Sequence, residues 1–227
     1  MLVRLRDVSL PTFIERVFDH PEPTEGAEPW HFGDVTFDVD PEQQLQHLAG
    51  VFRAADSLPS RGLSNAQIEL GLWCVLGGAH NYSFVSLVWD RSLPITLRRT
   101  TIDALFELYD RLLSAAAHES IDFRYPDRTP RRFSTIDYMG LALVVEALRP
   151  SSSTAYDRTR VCSALLGVLA RLLDHPAPVA QYAALHGLGH LPTQKRRDVI
   201  DRYLAARPDL ETEQREYALA ARAGTLL

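Results

Sequence analysis

Prolines divide the last third of the chain into segments that each have the length of a helix. The prolines concerned are Pro176, Pro178, Pro192 and Pro208. Because proline cannot continue a helix from its interior, each marks a connection, and apolar residues recur at helical spacing between them. The pattern predicts four helices, over residues 156–173, 178–191, 194–206 and 211–223. Thr193 and Thr212 are predicted to cap the last two, and the short connections favour antiparallel helical hairpins.

Helix caps extend this pattern into the first two thirds of the chain. Ser9, Asp40 and Ser64 each precede an apolar run with helical spacing, and their side chains can accept a hydrogen bond from the first turn. Gln67 can reach back to the Ser64 amide and complete a capping box. Further helices are predicted near residues 81–89, over 95–117, and from a cap at Ser134–Asp137 to about residue 149. The sequence therefore predicts an all-α fold with about nine or ten helices.

The connection over residues 19–40 is rich in proline, glycine and acidic residues. Within it, Val35–Val39 alternates apolar and polar side chains, which is the pattern of a strand. A single strand has no partner for a hydrogen-bonded ladder, so we predict one long irregular loop here instead. The aromatic residues Trp30, Phe32 and Phe37 are expected to pack this loop against the helices.

Composition favours a soluble globular protein without a nucleic-acid or membrane partner. The chain has 227 residues, a formal net charge of −5 and a pI near 5.9. The acidic balance argues against nucleic acid, and the lack of a long apolar run argues against a membrane. The first residues lack a signal-peptide pattern, so we expect a cytoplasmic protein. Lys195 is the only lysine among 24 basic residues, which indicates a GC-rich bacterial coding genome.

The chain is predicted to form a single helical domain over residues 1–227. The polar stretch Pro150–Thr154 is the best internal breakpoint. It could divide an N-terminal helical part, residues 1–150, from a C-terminal part, residues 155–227. Cys74 and Cys162 each stand alone in an apolar run, which is more typical of buried thiols than of a disulfide.

The segment Asp174–Leu191 resembles the second helix of a HEAT repeat. In that pattern an aspartate stands in the turn, a valine begins the helix, and small residues follow. The positions that carry the resemblance are Asp174, Val179, Ala183, Ala184, Gly187 and Leu188. Small residues let a neighbouring helix pack closely, and a turn aspartate can cap exposed amide groups.

A second copy of this pattern begins 35 residues later at Asp209, with Gln214 at the position of Val179. Its small residues are Ala218, Ala220 and Ala223. The period is shorter than the roughly 40–47 residues usual for HEAT units, and Ala180 stands where those repeats often carry arginine. The resemblance covers about residues 156–226. It implies antiparallel hairpins stacked as a short α-solenoid, which would bind a protein partner in its groove.

His186 and His190 are the only pair of residues spaced for chemistry. Four residues apart, they lie on nearly the same side of a helix, where two neutral imidazoles can bind one zinc or iron ion. Candidates for the further ligands that such a site needs are His80, His118, His175 and Asp174. The zinc-protease signature is absent, because Gly187 stands where it requires glutamate. In the alternative interpretation, both histidines flank the core stripe Ala183–Gly187–Leu191 and hydrogen-bond locally.

Two functions follow from these patterns. The first is a non-enzymatic helical-repeat protein that binds a protein partner, with Tyr182, His186, Gly189 and His190 as candidate contact residues. The second is a metal-binding enzyme or sensor built on the His186/His190 pair. No catalytic or organic-cofactor residue is predicted, because serine-hydrolase, phosphate-loop and dinucleotide signatures are missing. Gly187 and Gly189 each cost about 1 kcal/mol in a helix, which indicates close helix contact or close approach of a ligand.

Overall fold

The computed structural model describes residues 2–22, 29–32, 35–77, 82–114, 121–125, 128, 132–133, 135–146 and 155–226. These residues are predominantly helical, which confirms the predicted all-α class. The stacking of hairpins into a solenoid stays a prediction. Within the described residues, no helix is both long and apolar enough to cross a membrane.

The N-terminal part contains a short sheet that the sequence did not predict. Its elements are β1 (Leu2–Arg4), α1 (Leu10–Phe18), a 3₁₀ turn (Trp30–Phe32) and β2 (Thr36–Asp38). The strands are parallel, with Val3 opposite Phe37. The predicted irregular loop was therefore wrong at residues 36–38, because the start of the chain supplies the missing ladder partner. Trp30 and Phe37 pack against the core as expected, whereas Phe32 is 57% exposed.

The next helices are α2 (Pro41–Arg53), α3 (Ser57–Ser60), α4 (Asn65–Leu76) and α5 (Phe84–Trp89). The caps predicted for α1, α2 and α4 are confirmed. Ser9 Oγ accepts a hydrogen bond from the Thr12 amide at 3.4 Å, and Asp40 Oδ1 accepts one from the Gln43 amide at 2.9 Å. At the start of α4, both hydrogen bonds of the predicted capping box are present.

The long helix predicted over residues 95–117 is interrupted in the structure. It forms α6 (Ile95–Asp103), α7 (Leu105–Leu108) and a π-helical turn (Tyr109–Leu113). The Ser114 amide donates to the Tyr109 carbonyl at 2.8 Å, which is the five-residue bond of a π-helix. Tyr109 and Leu113 are both buried, so the apolar stripe alone could not distinguish this turn from an α-helix. Residues 115–117 lie outside the described residues.

The C-terminal part consists of α8 (Ile136–Glu146), α9 (Ala155–Leu173), α10 (Pro178–His190), α11 (Lys195–Ala206) and α12 (Thr212–Ala223). The four helices predicted from the proline pattern are confirmed to within one residue at every end. The caps predicted at Thr193 and Thr212 were wrong. The residues that precede α11 and α12 are Gln194 and Glu211, and neither makes a side-chain cap bond.

Helix α8 begins against a carboxylate from another helix. Glu69 on α4 accepts hydrogen bonds from the amides of Thr135 and Ile136 at 2.9 and 3.2 Å. A negative charge at this end also complements the helix dipole. The cap predicted within Ser134–Asp137 is thus supplied from α4; Ser134 itself lies outside the described residues.

Helix α10 lies at the centre of the C-terminal part. It packs against α8, α9, α11, α12 and the π-helical turn, and every residue from Val179 to Gly189 is buried. The sequence placed His186 at the edge of the core stripe Ala183–Gly187–Leu191. That placement was wrong, because α10 is covered on all sides and His186 is only 6% exposed. His190, at the end of the helix, is half-buried.

Helices from both sides of residues 150–154 pack together. Helix α9 lies against α6 and α7, and α10 lies against α8. Buried residues of both parts belong to one continuous apolar cluster. The possible sub-boundary between residues 1–150 and 155–227 stays a prediction.

Gly187 allows α10 to approach α8 and α9 closely. A methyl group added there would lie 2.9 Å from Leu169 Cδ2 and 3.3 Å from Leu141 Cβ. Carbon atoms in favourable contact stand about 3.5–4.0 Å apart, so both distances are too short for a side chain. Close helix contact therefore accounts for this glycine.

We expect Gly187→Ala to lower the free energy of unfolding by about 1–3 kcal/mol, because overpacking outweighs the helix propensity that alanine adds. Gly167 on α9 is the matched control, since a methyl group there would meet no atom within 4 Å. Gly167→Ala should raise the free energy of unfolding by about 0.5–1 kcal/mol. Urea unfolding followed by tryptophan fluorescence measures both changes, and equal effects would contradict the packing argument.

Candidate functional site

His186 connects the two helices that carry the candidate site. It is buried on α10, and its Nδ1 lies 2.6 Å from the hydroxyl of Tyr217 on α12. The second interpretation of the histidine pair expected a local hydrogen bond, whereas this partner lies on another helix, 31 residues further along the chain. The hydrogen bond orients the imidazole ring and fixes α10 against α12.

Aromatic rings surround this hydrogen bond. Tyr182, one turn before His186, stacks on Tyr217 with ring centroids 4.5 Å apart. Phe123, from the connection before α8, lies 5.1 Å from the Tyr182 ring and 5.8 Å from the Tyr217 ring. We call Phe123, Tyr182, His186 and Tyr217 the aromatic cluster. Such ring pairs add stability beyond the apolar area that they bury.

Burial determines the charge of His186. Loss of solvent, together with the smaller effect of the nearby His190 imidazole, lowers its pKa to about 4. The ring is therefore neutral at pH 7, with one nitrogen that donates and one that accepts. A neutral imidazole can hydrogen-bond or ligate a metal ion, but it does not contribute a positive charge to a binding site.

His190 and Gly189 complete the set of residues that the sequence singled out. The ring of His190 lies 4.9 Å from that of His186, so the structure brings the predicted pair together. Gly189 is buried, and a methyl group there would lie 2.5 Å from Leu226 Cδ1. Tyr182 is 4% exposed. Of the four predicted contact residues, only His190 offers surface to a partner in this structure, and their binding role stays a prediction.

The candidates for a third metal ligand lie elsewhere or outside the described residues. His175 Nδ1 accepts a hydrogen bond from the Ala177 amide at 3.1 Å, and its Nε2 lies 3.4 Å from Asp110 Oδ1. His80 and His118 fall outside the described residues. In the part of the chain that the structure describes, no three histidine, cysteine or acidic side chains are grouped to hold a metal ion. The zinc or iron site stays a prediction.

A groove of about 480 Å³ opens beside the aromatic cluster. It lies between the start of α10, the connection from α11 to α12 and the segment 121–123. Its lining residues are Ile121, Phe123, Pro178, Gln181, Arg207, Asp209, Leu210, Glu211 and Gln214. We call this feature the α10–α12 groove. Because Phe123 lines the groove and also belongs to the aromatic cluster, the two features are continuous.

Amide side chains form the inner wall of the α10–α12 groove. Gln181 Oε1 accepts hydrogen bonds from Tyr203 Oη at 3.0 Å and from Gln214 Nε2 at 2.8 Å. Gln181 Nε2 donates to the His175 carbonyl at 2.8 Å. Burial raises the pKa of Tyr203, so its hydroxyl keeps the proton that it donates. This network ties one side chain from each of α10, α11 and α12 together.

Charged side chains of both signs stand at the mouth of the groove. Arg207 donates to the Leu173 carbonyl at 2.7 Å, and its guanidinium lies over the Tyr203 ring. Asp209 and Glu211 are exposed on the turn before α12. The groove is therefore lined by apolar side chains, hydrogen-bonding amides and charged groups of both signs.

The sequence contained one signal that could have found the partner of His186. Tyr182 and Tyr217 are 35 residues apart, the same period that relates Asp174 to Asp209. Applying this period to Tyr182 predicts Tyr217 at the equivalent place on α12. No such signal existed for Phe123 or Tyr203, which enter the site from a loop and from the intervening helix.

Comparison of this chain with protein-family models, with curated proteins and with solved structures gives no match.

The buried neutral state of His186 predicts a pH dependence of stability. Its pKa rises from about 4 in the folded chain to 6.5 in the unfolded chain, so the unfolded state binds more protons between these values. The contribution of His186 is complete above pH 6.5 and decreases as the pH falls towards 4, by about 3 kcal/mol in all. Urea unfolding of the wild type and His186→Gln across this range should show a flatter curve for the variant.

Tyr217→Phe is the control for this experiment. It keeps the imidazole, so the pH dependence should persist, while the lost hydrogen bond lowers the free energy of unfolding by about 1 kcal/mol at neutral pH. Parallel curves for the wild type and His186→Gln would contradict the assignment to His186.

Proposed function

We propose that this chain binds a protein partner without catalysing a reaction, and that an extended segment of the partner lies in the α10–α12 groove. The observation that carries the proposal is the lining of that groove, which combines apolar side chains, the buried Gln181 amide, the half-buried Gln214 amide and charged groups of both signs. Three further properties remain predictions: a helical-repeat architecture, a bacterial source and a cytoplasmic location. We also predict that the protein binds neither nucleic acid nor membranes.

The chemistry of the groove suits a polypeptide backbone. An extended peptide presents both amide donors and carbonyl acceptors, and the exposed Asp209 and Glu211 carboxylates can accept from such donors. The amides of Gln181 and Gln214 bond to each other, to Tyr203 and to the His175 carbonyl, and so hold the inner wall of the groove in place. Ile121 and Phe123 supply apolar contact for the partner's side chains. Gln181 and Gln214 do not act as nucleophiles or proton carriers, so the proposal assigns binding to this wall of the groove.

The charges at the rim would set the orientation of the bound segment. Arg207, Asp209 and Glu211 all line the groove from the connection between α11 and α12. Charges at the rim of an interface chiefly affect the rate of association and the register of the partner. These charges favour a peptide segment that carries a basic residue opposite Asp209.

We expect peptides selected on the purified chain from a random-peptide phage library to lose affinity for Asp209→Arg. Reversal of a rim charge next to a bound basic residue should weaken binding by about tenfold. Asp103→Arg is the matched control, because Asp103 is an exposed aspartate at the end of α6 and does not line the groove. Calorimetric titration of the selected peptides measures both variants. Selected peptides that bind both variants as tightly as the wild type would exclude the groove.

A second candidate function is metal binding, and one specific observation favours it. The His186 and His190 rings are adjacent, and burial keeps His186 in the neutral form that a metal requires. The Tyr217 hydroxyl beside Nδ1 could serve as the outer hydrogen-bond partner that ligating histidines usually have.

Elemental analysis of the purified chain tests this second candidate. Stoichiometric zinc or iron, lost in His186→Ala and in His190→Ala, is the expected result for a metal site. His20→Ala is the control, since His20 follows α1, where it bonds to the Arg16 carbonyl and stacks on Trp30. Metal-free protein with unchanged thermal stability after exposure to zinc or iron(II) would dismiss metal binding and leave the groove proposal intact.

A further inference from the structure

A small cavity lies between the N-terminal sheet and helices α1, α2 and α4, and it shares no lining residue with the α10–α12 groove. Most of its lining is apolar, and its polar groups come from Gln44, Cys74, Tyr82 and Ser83. The cavity has a volume of about 10 Å³. One water molecule needs about 10–15 Å³ of such space, whereas pockets for organic ligands measure about 300–1,000 Å³. The size therefore suits a single water molecule.

Gln44 brings a buried amide to the lining of this cavity. The side chain is 5% exposed, and its Nε2 donates to the Tyr82 carbonyl, in the same lining, at 3.4 Å. The Oε1 atom of the same amide is buried and accepts no hydrogen bond from the residues that the structure describes. A buried acceptor without a partner is costly, because it has lost the water that it binds in the unfolded chain. The Gln44 amide therefore requires a donor from within the cavity.

The other polar groups of the lining complement this acceptor. Cys74 is a free, buried cysteine, and burial raises the pKa of its thiol to about 12. The thiol therefore keeps its proton at neutral pH and is a weak hydrogen-bond donor. The buried Ser83 hydroxyl lies 3.3 Å from Ser86 Oγ, and the Tyr82 carbonyl has a second lone pair. The cavity thus offers both donors and acceptors.

The lining also indicates that the ligand is neutral. No charged side chain is among the described residues that line the cavity. An ion would lose its hydration there without a compensating charge. Water donates two hydrogen bonds and accepts two, and a buried water typically makes about three hydrogen bonds to groups that would otherwise lack a partner.

We propose that this cavity binds one water molecule, which donates a hydrogen bond to Gln44 Oε1. The Cys74 thiol, the Ser83 hydroxyl and the Tyr82 carbonyl provide its further hydrogen bonds. Since these groups belong to α2, α4 and the residues just before α5, the water links three parts of the fold. The site is independent of the α10–α12 groove, so neither proposal rests on the other.

A crystal structure of the wild-type protein, at a resolution that shows ordered waters, tests the location of this site. We expect electron density for one isolated atom in the cavity, about 2.8 Å from Gln44 Oε1. An empty cavity would overturn the proposal. Density that extends over several bonded atoms would overturn it as well, because the ligand would then be an organic molecule.

Two variants test the site in solution, where ¹⁷O relaxation dispersion counts long-lived buried waters. Gln44→Met removes the acceptor at a similar side-chain length, and Cys74→Val exchanges the thiol for two methyl groups that occupy the cavity. Each variant should bind one buried water fewer than the wild type. Cys162→Val is the matched control, because Cys162 lies on α9 and does not line the cavity, so its count should not change. An unchanged count in Gln44→Met, or an equal loss in Cys162→Val, would overturn the proposal.

Discussion

The close contact of α10 with its neighbours is the constraint on which the rest of the C-terminal part depends. Gly187 brings α10 against Leu141 of α8 and Leu169 of α9, and even a methyl group there would crowd both leucines. A helix that is covered on every side cannot leave its polar residues in solvent. Gln181 and His186 are therefore buried, and α11 and α12 must supply their hydrogen-bond partners.

These polar contacts fix α11 and α12 more specifically than apolar area alone could. Helix α11 buries only Val199, Ile200 and Tyr203, and apolar packing of so few side chains tolerates small shifts along the helix. A hydrogen bond does not tolerate such shifts, because a buried amide that loses its partner costs about 1–3 kcal/mol. The bonds from Tyr203 and Gln214 to Gln181 thus define one register for the three helices.

Local signals in the sequence predicted the helices and several of their caps, which depend on residues close together in the chain. They did not predict contacts between distant segments. Proline positions and caps such as Ser64 located the helices, since each acts within a few residues. The pairing of β1 with β2 and the Glu69 cap of α8 join residues far apart in the chain, which no local pattern records. The burial of His186 was missed, although alanine and glycine on all faces of α10 are typical of a helix with no exposed side. The His186/His190 pair was located by its spacing, whereas Phe123 and Tyr203 required the fold.

Helix α11 determines the shape of the α10–α12 groove as well as the register of the helices. Tyr203 on α11 donates a hydrogen bond to Gln181, and Arg207, just beyond the last turn of α11, lines the groove and donates to the Leu173 carbonyl. The wall of the groove therefore exists only when α11 is docked against α10. A peptide segment that contacts this wall would bind most tightly to the docked arrangement, and its binding would stabilise that arrangement in turn.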